Sequence, residues 1–452
     1  MQIRTVSLLC ALLLGSTAAA RASTASEACQ KLGLSSCPIP TDKTLPAAKD
    51  MLTWGQAQRV IGFRNDWRMY EGDVFKAGTP SPLPVALQDL SAVHYEVDAK
   101  RYTLADYLSR SNVTGLMVIK NGRIVYRYYG IGNTPDTLWT SRSVGKSVVS
   151  TLIGIALRQG HIQSLDDRVS RYDPQFDHTV WGNITIRQLL QHVSGVAWNE
   201  DYTNPASDFS QLTACEAGKD PYACVTTLVN TPDRKPVAAP GHEWSYSSGG
   251  AWVLGDVLEK ATGKTLAQNL QDNIWQPYGM THDGVWHSYR KGQHDVGAHG
   301  FNATLKDWGK FGLFVMNEGV LPDGRKMLPD SWLKECSHWT RALHSVTPSH
   351  PNGTYGFEWW HNDVPATASH VAPRNGMTAA RTLWAIGIFG QLIAIDPEEK
   401  LVIVQWSTWP EAEPSFAKQP LEASLMFNAI ANRLKEESGA TRGPRQRELA
   451  TL

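Results

Sequence analysis

The stretch Ser143-Val144-Gly145-Lys146 opens an apolar segment that continues without a break to Gln159. A serine and a lysine three positions apart lie on the same face of a helix, so this spacing places a hydroxyl beside an ammonium group. The segment is apolar on nearly all sides, which predicts a helix buried in the centre of the protein. Gly160 is a typical residue to end it, and either Thr140 or Ser141 could cap its first turn.

The start of this helix favours negative charge, so an oxyanion that forms beside Ser143 would be stabilised. Further along the chain, Tyr246-Ser247-Ser248 adds a hydroxyl that could relay a proton. A nucleophile, a base and a proton relay together indicate a serine enzyme that transfers acyl groups. The alternative is a Ser/Thr-rich helix cap with a lysine that extends to solvent.

The Ser-x-x-Lys spacing is not specific by itself. It also occurs at Ser288–Lys291, Ser331–Lys334 and Ser415–Lys418, but no long apolar helix pattern follows there. The run Gly145-Lys146-Ser147 resembles the end of a phosphate-binding loop. That motif requires a glycine five residues earlier, where this chain has Thr140. The phosphate-binding reading is therefore discarded.

The first residues have the pattern of an export signal. Arg4 precedes an apolar run from Val6 to Leu14, and small residues then offer cleavage sites up to Ala22. The run is too short to span a membrane as a mature helix. We therefore predict a soluble mature protein that is either periplasmic or secreted. The 43 basic and 43 acidic residues balance, so neither nucleic acid nor a membrane is expected as a partner.

Export allows disulfide bonds to form. The close pairs Cys29–Cys37 and Cys215–Cys224 are the predicted bridges, and Cys336 is predicted to be free and buried. Metal binding is the less favoured role, because no cysteine pair has the spacing of a zinc site with a matching partner set. Three histidines cluster in sequence without a ligand pattern: His287, His294 and His299. Neither a metal nor a cofactor is therefore expected.

Strand patterns lie towards both ends of the chain and helix patterns in the middle. Asn121-Gly122 joins the β-rich runs 115–120 and 123–129 into a hairpin, and a second hairpin is predicted over 391–395 and 401–406. Helices are predicted in the middle near Ile186–His192, Ala251–Thr262 and Asp307–Asn317. This order predicts an α+β fold: an antiparallel sheet with N- and C-terminal helices on its faces, and an active-site cleft beside an inserted, mostly helical region.

We expect four regions along the chain. Residues 1–22 form the signal peptide. Residues 23–100 form an N-terminal extension that packs on the catalytic domain and has one helix near Trp54–Phe63. The catalytic domain covers 101–435, includes the helical insertion at about 166–345, and ends with a helix from Leu421 to Lys435. Residues 436–452 form a charged, flexible tail.

Several further segments follow Ser143-Val-Gly-Lys-Ser147 in order. They are Leu165-Asp-Asp167, the run 184–195, Pro240-Gly-His-Glu-Trp-Ser-Tyr-Ser-Ser248, Val253-Leu-Gly255, Thr262-Gly263 and Gly387-Ile-Phe-Gly-Gln391. Together they resemble the β-lactamase-related serine hydrolases, which include penicillin-binding-type peptidases, class C β-lactamases, and esterases and amidases. Within that superfamily, the segments Trp198–Tyr202, Tyr355–Trp360 and Gly387–Gln391 are similar to those of 6-aminohexanoate-dimer hydrolases.

The resemblance implies a role for each matching residue. Ser143 would attack the carbonyl and become acylated, while Lys146 and Tyr246 would remove its proton and deliver one to the leaving group. Both would need depressed pKa values, which burial and mutual proximity can supply. The backbone N–H groups of Ser143 and Ile388 would form the oxyanion hole. No glutamate can be assigned as a deacylating base, so Tyr246 with Lys146 would also activate the water.

The substrate-binding residues are expected beside the nucleophile and in the loop that contains Trp198. The predicted set is Trp198, Asp201, Tyr202, Ser248, Gly387 and Gly390. The two glycines flank Ile388 and would let its backbone approach a substrate closely. Tyr202-Thr-Asn204 is formally a Tyr-x-Asn motif, but Tyr246 has the Pro-Gly lead-in and the helix that follows. A plain surface loop, or core packing for the tryptophan, is the alternative role of the Trp198 loop.

Two departures from the family argue against an antibiotic as substrate. Penicillin-interactive members carry Tyr-x-Asn where this chain has Ser248, and Lys-Thr-Gly or His-Thr-Gly where it has Trp384-Ala-Ile-Gly387 without a cation. We therefore expect a serine hydrolase for small esters or amides. The alternatives are a β-lactamase or D-amino-acid-specific peptidase, and a catalytically silent member that binds cell-wall peptide or a protein. The oligomeric state is left open.

Overall fold

The computed structural model describes residues 24–38, 40, 42–337, 354–361, 382–413 and 419–440. The helices are α1 (Ala25–Leu32), α2 (Gln56–Asn65), α3 (Leu104–Arg110), α4 (Val144–Arg158), α5 (Ile186–Leu190), α6 (Asp208–Glu216), α7 (Pro221–Val229), α8 (Ser248–Thr262), α9 (Leu266–Leu270), α10 (Leu305–Met316), α11 (Trp332–Cys336) and α12 (Gln419–Ala440). The strands are β1 (Gly72–Phe75), β2 (His94–Val97), β3 (Lys100–Thr103), β4 (Val113–Lys120), β5 (Arg123–Tyr129), β6 (Trp139–Thr140), β7 (Gly284–Arg290), β8 (His294–Asp295), β9 (Phe301–Ala303), β10 (Thr354–Gly356), β11 (Trp359–His361), β12 (Leu383–Gly387), β13 (Gln391–Asp396) and β14 (Leu401–Ser407).

The main sheet has seven antiparallel strands in the order β10-β11-β12-β13-β14-β4-β5. Both predicted hairpins are in it: β4 and β5 form one, and β13 and β14 form the other. Strand β14 also pairs with β4, so the two hairpins lie side by side although they come from distant parts of the chain. The predicted α+β fold with an antiparallel sheet is confirmed.

Helices cover both faces of this sheet. Helix α10 packs on β4, β13 and β14. It lies so close that a Cβ atom on Gly312 would be 2.6 Å from the side chain of Val402. On the opposite face, α3 and α12 pack on the sheet, and Phe427 of α12 stacks on Trp384 of β12 with ring centroids 5.5 Å apart.

Helix α4 is the buried central helix that the apolar segment predicts. Its residues from Val144 to Ala156 are all buried, and it packs between α8 and the main sheet. Polar side chains inside it find partners, because Ser147 and Ser150 donate hydrogen bonds of 2.6 Å to the backbone carbonyls of Glu358 and Phe357. These bonds join α4 to the turn between β10 and β11.

The described part of the region 166–345 is mostly helical, as predicted, but it also contains strands that were not predicted. Strands β7, β8 and β9 lie in it and form a second sheet with β6 and with β1 of the N-terminal extension, in the order β1-β7-β9-β6 with β8 paired to β7. All residues of β7 except Arg290 are buried. The strand therefore lacks the alternation of buried and exposed side chains by which a sequence pattern identifies strands.

The ends of the predicted helices shift by a few residues. The last helix runs from Gln419 to Ala440, so the first residues of the predicted tail are helical rather than flexible. The rest of that tail and the signal sequence lie outside the described residues. The helix expected near Trp54–Phe63 is α2. The domain boundaries stay predictions.

The cysteine prediction is confirmed. Disulfides join Cys29 to Cys37 and Cys215 to Cys224, and Cys336 is free and buried. The three clustered histidines have separate carboxylate partners: His287 pairs with Asp66, His294 with Asp256 and His299 with Glu216. None of the helices within the described ranges is both long and apolar enough to cross a membrane.

The N-terminal extension supports the turn that leads into α4. Arg142 has a φ of 45°, a backbone conformation that residues other than glycine rarely adopt. Its guanidinium donates to Asp66 at 3.1 Å and lies 4.7 Å from the ring centre of Phe63. His287 contacts the other oxygen of Asp66 at 2.8 Å. Burial alone would raise the pKa of Asp66, but the charges of His287 and Arg142 hold it well below its usual value.

Replacing Asp66 with asparagine should destabilise the protein by about 3–5 kcal/mol, because Arg142 then stays buried without a counter-charge. The free energy of unfolding in urea measures this. The matched control is Asp323→Asn, which removes an exposed partner of Arg325 and should leave stability unchanged within error. Equal effects of the two substitutions would contradict a supporting role for Asp66.

Candidate active site

Ser143 is the residue immediately before α4, and its backbone already has a helical conformation. Neither Thr140 nor Ser141 caps the helix, contrary to expectation. The Ser141 hydroxyl donates to the carbonyl of Arg142 at 2.8 Å, and backbone N–H groups of α4 bond to the carbonyls of Ser141 and Arg142. The Ser143 side chain makes no capping bond, which leaves its hydroxyl for Lys146.

Lys146 is buried and lies within hydrogen-bond distance of three oxygens. Its Nζ is 3.0 Å from Ser143 Oγ, 3.1 Å from Ser248 Oγ and 2.9 Å from the carbonyl oxygen of Ala298. An ammonium group has three hydrogens, so these contacts account for all of them. Burial lowers the pKa of Lys146, and this effect exceeds the opposing effect of the nearby carboxylates. The neutral amine, which can accept the Ser143 proton, is therefore more accessible than in solution.

Tyr246 completes the predicted trio but differs from expectation in its protonation. Its hydroxyl is hydrogen-bonded to Ser143, and Lys146 Nζ lies 5.0 Å from the centre of its ring. Burial raises the pKa of Tyr246 well above its usual value, and the negative charges of Glu200 and Glu358 raise it further. The expectation of two depressed pKa values thus holds for Lys146 and is wrong for Tyr246. Tyr246 is a neutral phenol that can donate a proton, and Lys146 is the better base.

Aromatic rings fix the orientation of Tyr246. The ring of His192 stacks on it at a centroid distance of 4.6 Å, Trp360 lies at 6.0 Å on a nearly parallel plane, and Tyr355 meets it edge-on at 6.0 Å. Such contacts restrict a ring more than isotropic packing does. The phenol is therefore held in one position beside the nucleophile.

His192 is held in turn by Glu358. His192 Nδ1 accepts the backbone N–H of Ser247 at 3.1 Å, so its proton is on Nε2, which faces Glu358 Oε2 at 2.8 Å. Tyr355 also donates to that carboxylate. Glu358 itself has a φ of 64°, in the turn between β10 and β11. Sequence reasoning missed Glu358 and the role of His192, although His192 lies in a segment that matches the family.

Glu200 lies in the Trp198–Tyr202 segment, whose residues the sequence offers as pocket-lining, but its specific contacts were not predicted. Its carboxylate accepts the Ser248 hydroxyl at 2.6 Å and the Ser248 backbone N–H at 3.0 Å. Because Ser248 also contacts Lys146, the lysine is connected to a carboxylate through one hydroxyl group. The indole N–H of Trp198 and, at 3.3 Å, the hydroxyl of Tyr202 also donate to Glu200. No sequence motif marks the contact between Glu200 and Ser248, because it spans 48 residues.

The predicted substrate-binding residues therefore have different surroundings. Ser248, Trp198 and Tyr202 meet at Glu200, and Ser248 also touches Lys146. Asp201 is exposed and binds the backbone N–H and hydroxyl of Thr203 in its own loop. That arrangement is a local turn and gives no contact with the trio.

The segment from Gly387 to Gly390 brings the edge of β12 against Ser143. A Cβ atom on Gly387 would lie 2.6 Å from the Ser141 carbonyl oxygen and 3.1 Å from the Ser143 nitrogen, so only glycine fits there. Gly390 has a φ of 86° and packs against Trp409. In the part of the chain that the structure describes, neither the Ser143 nor the Ile388 backbone N–H donates a hydrogen bond. Both are free to bind an oxyanion.

The model of the beta-lactamase family matches residues 105–425. The chain belongs to the beta-lactamase family. This confirms the resemblance to β-lactamase-related serine hydrolases.

Named relatives give a finer comparison. The 6-aminohexanoate-dimer hydrolase of Paenarthrobacter ureafaciens is 26% identical over 333 residues, which cover 70% of this chain and 79% of that protein. The teichoic acid D-alanine hydrolase of Staphylococcus aureus is 26% identical over 232 residues, covering 49% of this chain and 53% of that protein. A solved structure of a candidate 6-aminohexanoate-dimer hydrolase from Bacillus anthracis aligns with a TM-score of 0.73 and 22% identity over 87% of this chain and 99% of that one. This last similarity shows a shared fold.

In this beta-lactamase family protein, Glu200→Gln should change how Ser143 reactivity depends on pH. The negative charge of Glu200 raises the pKa of Lys146, so its removal should lower that pKa further. The neutral amine then forms at lower pH. The measurement is the rate at which a fluorophosphonate labels the protein, as a function of pH. The acidic limb of this pH profile should move to lower pH.

The control for this measurement is Glu318→Gln, which changes an exposed glutamate paired with Lys326 and should leave the profile unmoved. An acidic limb that stays in place in the Glu200 variant, or moves to higher pH, would contradict the electrostatic link between Glu200 and Lys146.

Proposed function

We propose that this protein is a serine hydrolase that cleaves small linear amides or esters through a covalent acyl-enzyme on Ser143. The single observation that carries the proposal is the buried amine of Lys146, 3.0 Å from the Ser143 hydroxyl, with a lowered pKa. A base with a pKa moved towards neutrality is what activation of a serine requires.

Acylation begins when Ser143 Oγ attacks the substrate carbonyl and its proton passes to the neutral amine of Lys146. The carbonyl oxygen becomes an oxyanion between the N–H groups of Ser143 and Ile388, close to the positive end of the α4 dipole. Tyr246 donates its phenolic proton to the leaving nitrogen or oxygen as the C–N or C–O bond breaks. The proton on Lys146 then passes to the Tyr246 phenolate and restores the phenol.

Deacylation uses the same groups, with the proton transfers in the opposite direction. A water molecule attacks the ester carbon, and its proton passes to the Tyr246–Lys146 pair. Ser143 Oγ leaves with a proton from that pair, and the carboxylic acid product is released. Because the raised pKa of Tyr246 keeps it protonated at rest, Lys146 accepts the first proton in each half-reaction.

The proposed substrate class rests first on the residues of β12 that line one side of the site. The segment Trp384-Ala-Ile-Gly387 has no cation to bind a substrate carboxylate at that edge. The relative named as a 6-aminohexanoate-dimer hydrolase supports a linear amide. The relative named as a teichoic acid D-alanine hydrolase supports a hydrolase acting at the cell envelope. We also propose export, on the basis of the N-terminal signal pattern and of two disulfides that an oxidising compartment favours.

Treatment with a fluorophosphonate should add one adduct to the intact protein and none to Ser143→Ala. The same substitution should lower hydrolysis of short-chain esters and linear amides by about 10³-fold or more, because no other residue supplies the nucleophile. Intact mass and initial rates are the measurements. Absence of an adduct on the folded wild type would favour a catalytically silent binding protein.

A chromogenic cephalosporin separates the proposed hydrolase from a β-lactamase. We expect its turnover to be far slower than that of a linear ester. Efficient turnover would overturn the proposed substrate class while leaving the acyl-enzyme mechanism intact.

Gly387→Ala should reduce kcat by about 10²–10³-fold, the cost of losing one oxyanion donor. The added methyl group would push β12 away from Ser143, because 2.6 Å is too short for a contact with the Ser141 carbonyl oxygen. The control is Gly55→Ala, where the new methyl group would meet only a side-chain oxygen at 3.6 Å. Equal kcat values for the two variants would contradict an oxyanion hole at this edge.

A further inference from the structure

A buried cluster of charged side chains lies between α8 and β8. Asp256 and Glu259 project from one face of α8, because residues three positions apart share a face. His294 comes from β8. All three are buried, and charged side chains are rarely buried unless they are paired or bind a metal.

The ligand atoms converge. His294 Nδ1 lies 3.0 Å from Asp256 Oδ1 and 3.7 Å from Glu259 Oε2, and all three atoms are within 4.8 Å of one another. Ligands about 2.0–2.2 Å from a tetrahedral metal are separated by about 3.2–3.6 Å. The separations of His294 from the two carboxylate oxygens, 3.0 Å and 3.7 Å, lie on either side of this range.

One oxygen in the cluster lacks a hydrogen-bond donor. Glu259 Oε1 accepts the backbone N–H groups of Leu266 and Asp295, each at 3.0 Å. Glu259 Oε2 is buried, and no residue that the structure describes donates a hydrogen bond to it. It faces the cluster at 3.7 Å from His294. A buried carboxylate oxygen without a donor is costly, so this atom points to a ligand that is positively charged.

Neighbouring side chains orient the Asp256 carboxylate and the His294 ring. The Gln175 side chain donates to Asp256 Oδ2, which leaves Oδ1 directed at His294. The ring of Tyr222 stacks on His294 at a centroid distance of 3.9 Å and fixes its plane. Outer contacts of this kind commonly hold metal ligands in place.

The cluster also carries excess negative charge. Asp295 lies beside Glu259, and Asp73 lies beside Asp295. A cation bound beside these carboxyl groups would be attracted by their negative charge.

We propose that Asp256, Glu259 and His294 bind one divalent transition-metal cation, with Zn²⁺ as the best fit. An imidazole ligand favours zinc over calcium or magnesium, and carboxylates complete the set. The ion would fasten α8 to β8. Because α8 begins at Ser248, which contacts Lys146, the ion would support the catalytic site without taking part in the reaction.

The competing arrangement is an imidazolium at His294 that pairs with both carboxylates. To separate the two, untagged full-length protein is dialysed against metal-free buffer and its zinc content is measured by mass spectrometry. Its Tm is then measured after EDTA treatment and after addition of ZnCl₂, MnCl₂ or CaCl₂. We expect about one zinc per chain, and a rise in Tm with zinc of about 5 °C or more.

Glu259→Gln keeps the shape and the carbonyl acceptor but loses the charge, so it should lose the zinc and the zinc-dependent rise in Tm. Asp256→Asn should do the same and serves if the first variant fails to fold. The control is Asp272→Asn, at an exposed partner of Lys264, which should keep both properties.

Three results would overturn the proposal. Wild type with no zinc and no rise in Tm with any of the three cations would assign the cluster to an imidazolium. Zinc retained by both cluster variants would place the ion elsewhere. A larger rise in Tm with calcium than with zinc would refute the transition-metal assignment.

Discussion

The burial of Lys146 is the constraint on which the rest of the site depends. An amine taken out of water loses part of its preference for the charged form, and each unit of pKa corresponds to about 1.4 kcal/mol. Within the described residues, no carboxylate lies at ion-pair distance from its Nζ, and its contacts are two hydroxyl groups and a carbonyl. Glu200 acts through Ser248, one hydroxyl away. A carboxylate in direct contact would favour the ammonium form of the lysine, whereas this arrangement lets burial lower its pKa.

Lys146 stays buried beside Ser143 only if the first turn of α4 is held in place from several sides. Asp66 of the N-terminal extension binds Arg142, and Gly387 lets β12 lie against Ser143. The β10–β11 turn accepts hydrogen bonds from Ser147 and provides Glu358 for His192. Elements from both sheets thus meet at one helix end. The second sheet, which contains the strand contributed by the extension, is therefore part of what positions the nucleophile.

This distribution explains what the sequence could predict. The two hairpins and α4 have local patterns, and the disulfides join cysteines only 8 and 9 residues apart. Strand β7 was not predicted, because it is buried on both faces and its sequence therefore shows no alternation. The contacts of Glu200 with Ser248 and of Glu358 with His192 were not predicted, because they span 48 and 166 residues and no spacing rule applies over such a separation. The direction of the Tyr246 pKa depends on burial among rings and carboxylates, which no motif encodes.

The same contacts limit how the site can hold a substrate. A serine has one hydroxyl proton, and Ser248 donates it to Glu200 while it accepts from Lys146. The Tyr202 hydroxyl is likewise directed at Glu200. Two polar groups that the sequence offered for substrate binding are therefore engaged with the protein itself. The 384–387 segment has no cation, and what it offers a substrate is backbone N–H groups and apolar surface. In the hydrolase that we propose, such a wall would suit the acyl part of a linear amide or ester better than a group that carries a carboxylate, because a buried carboxylate without a donor is penalised.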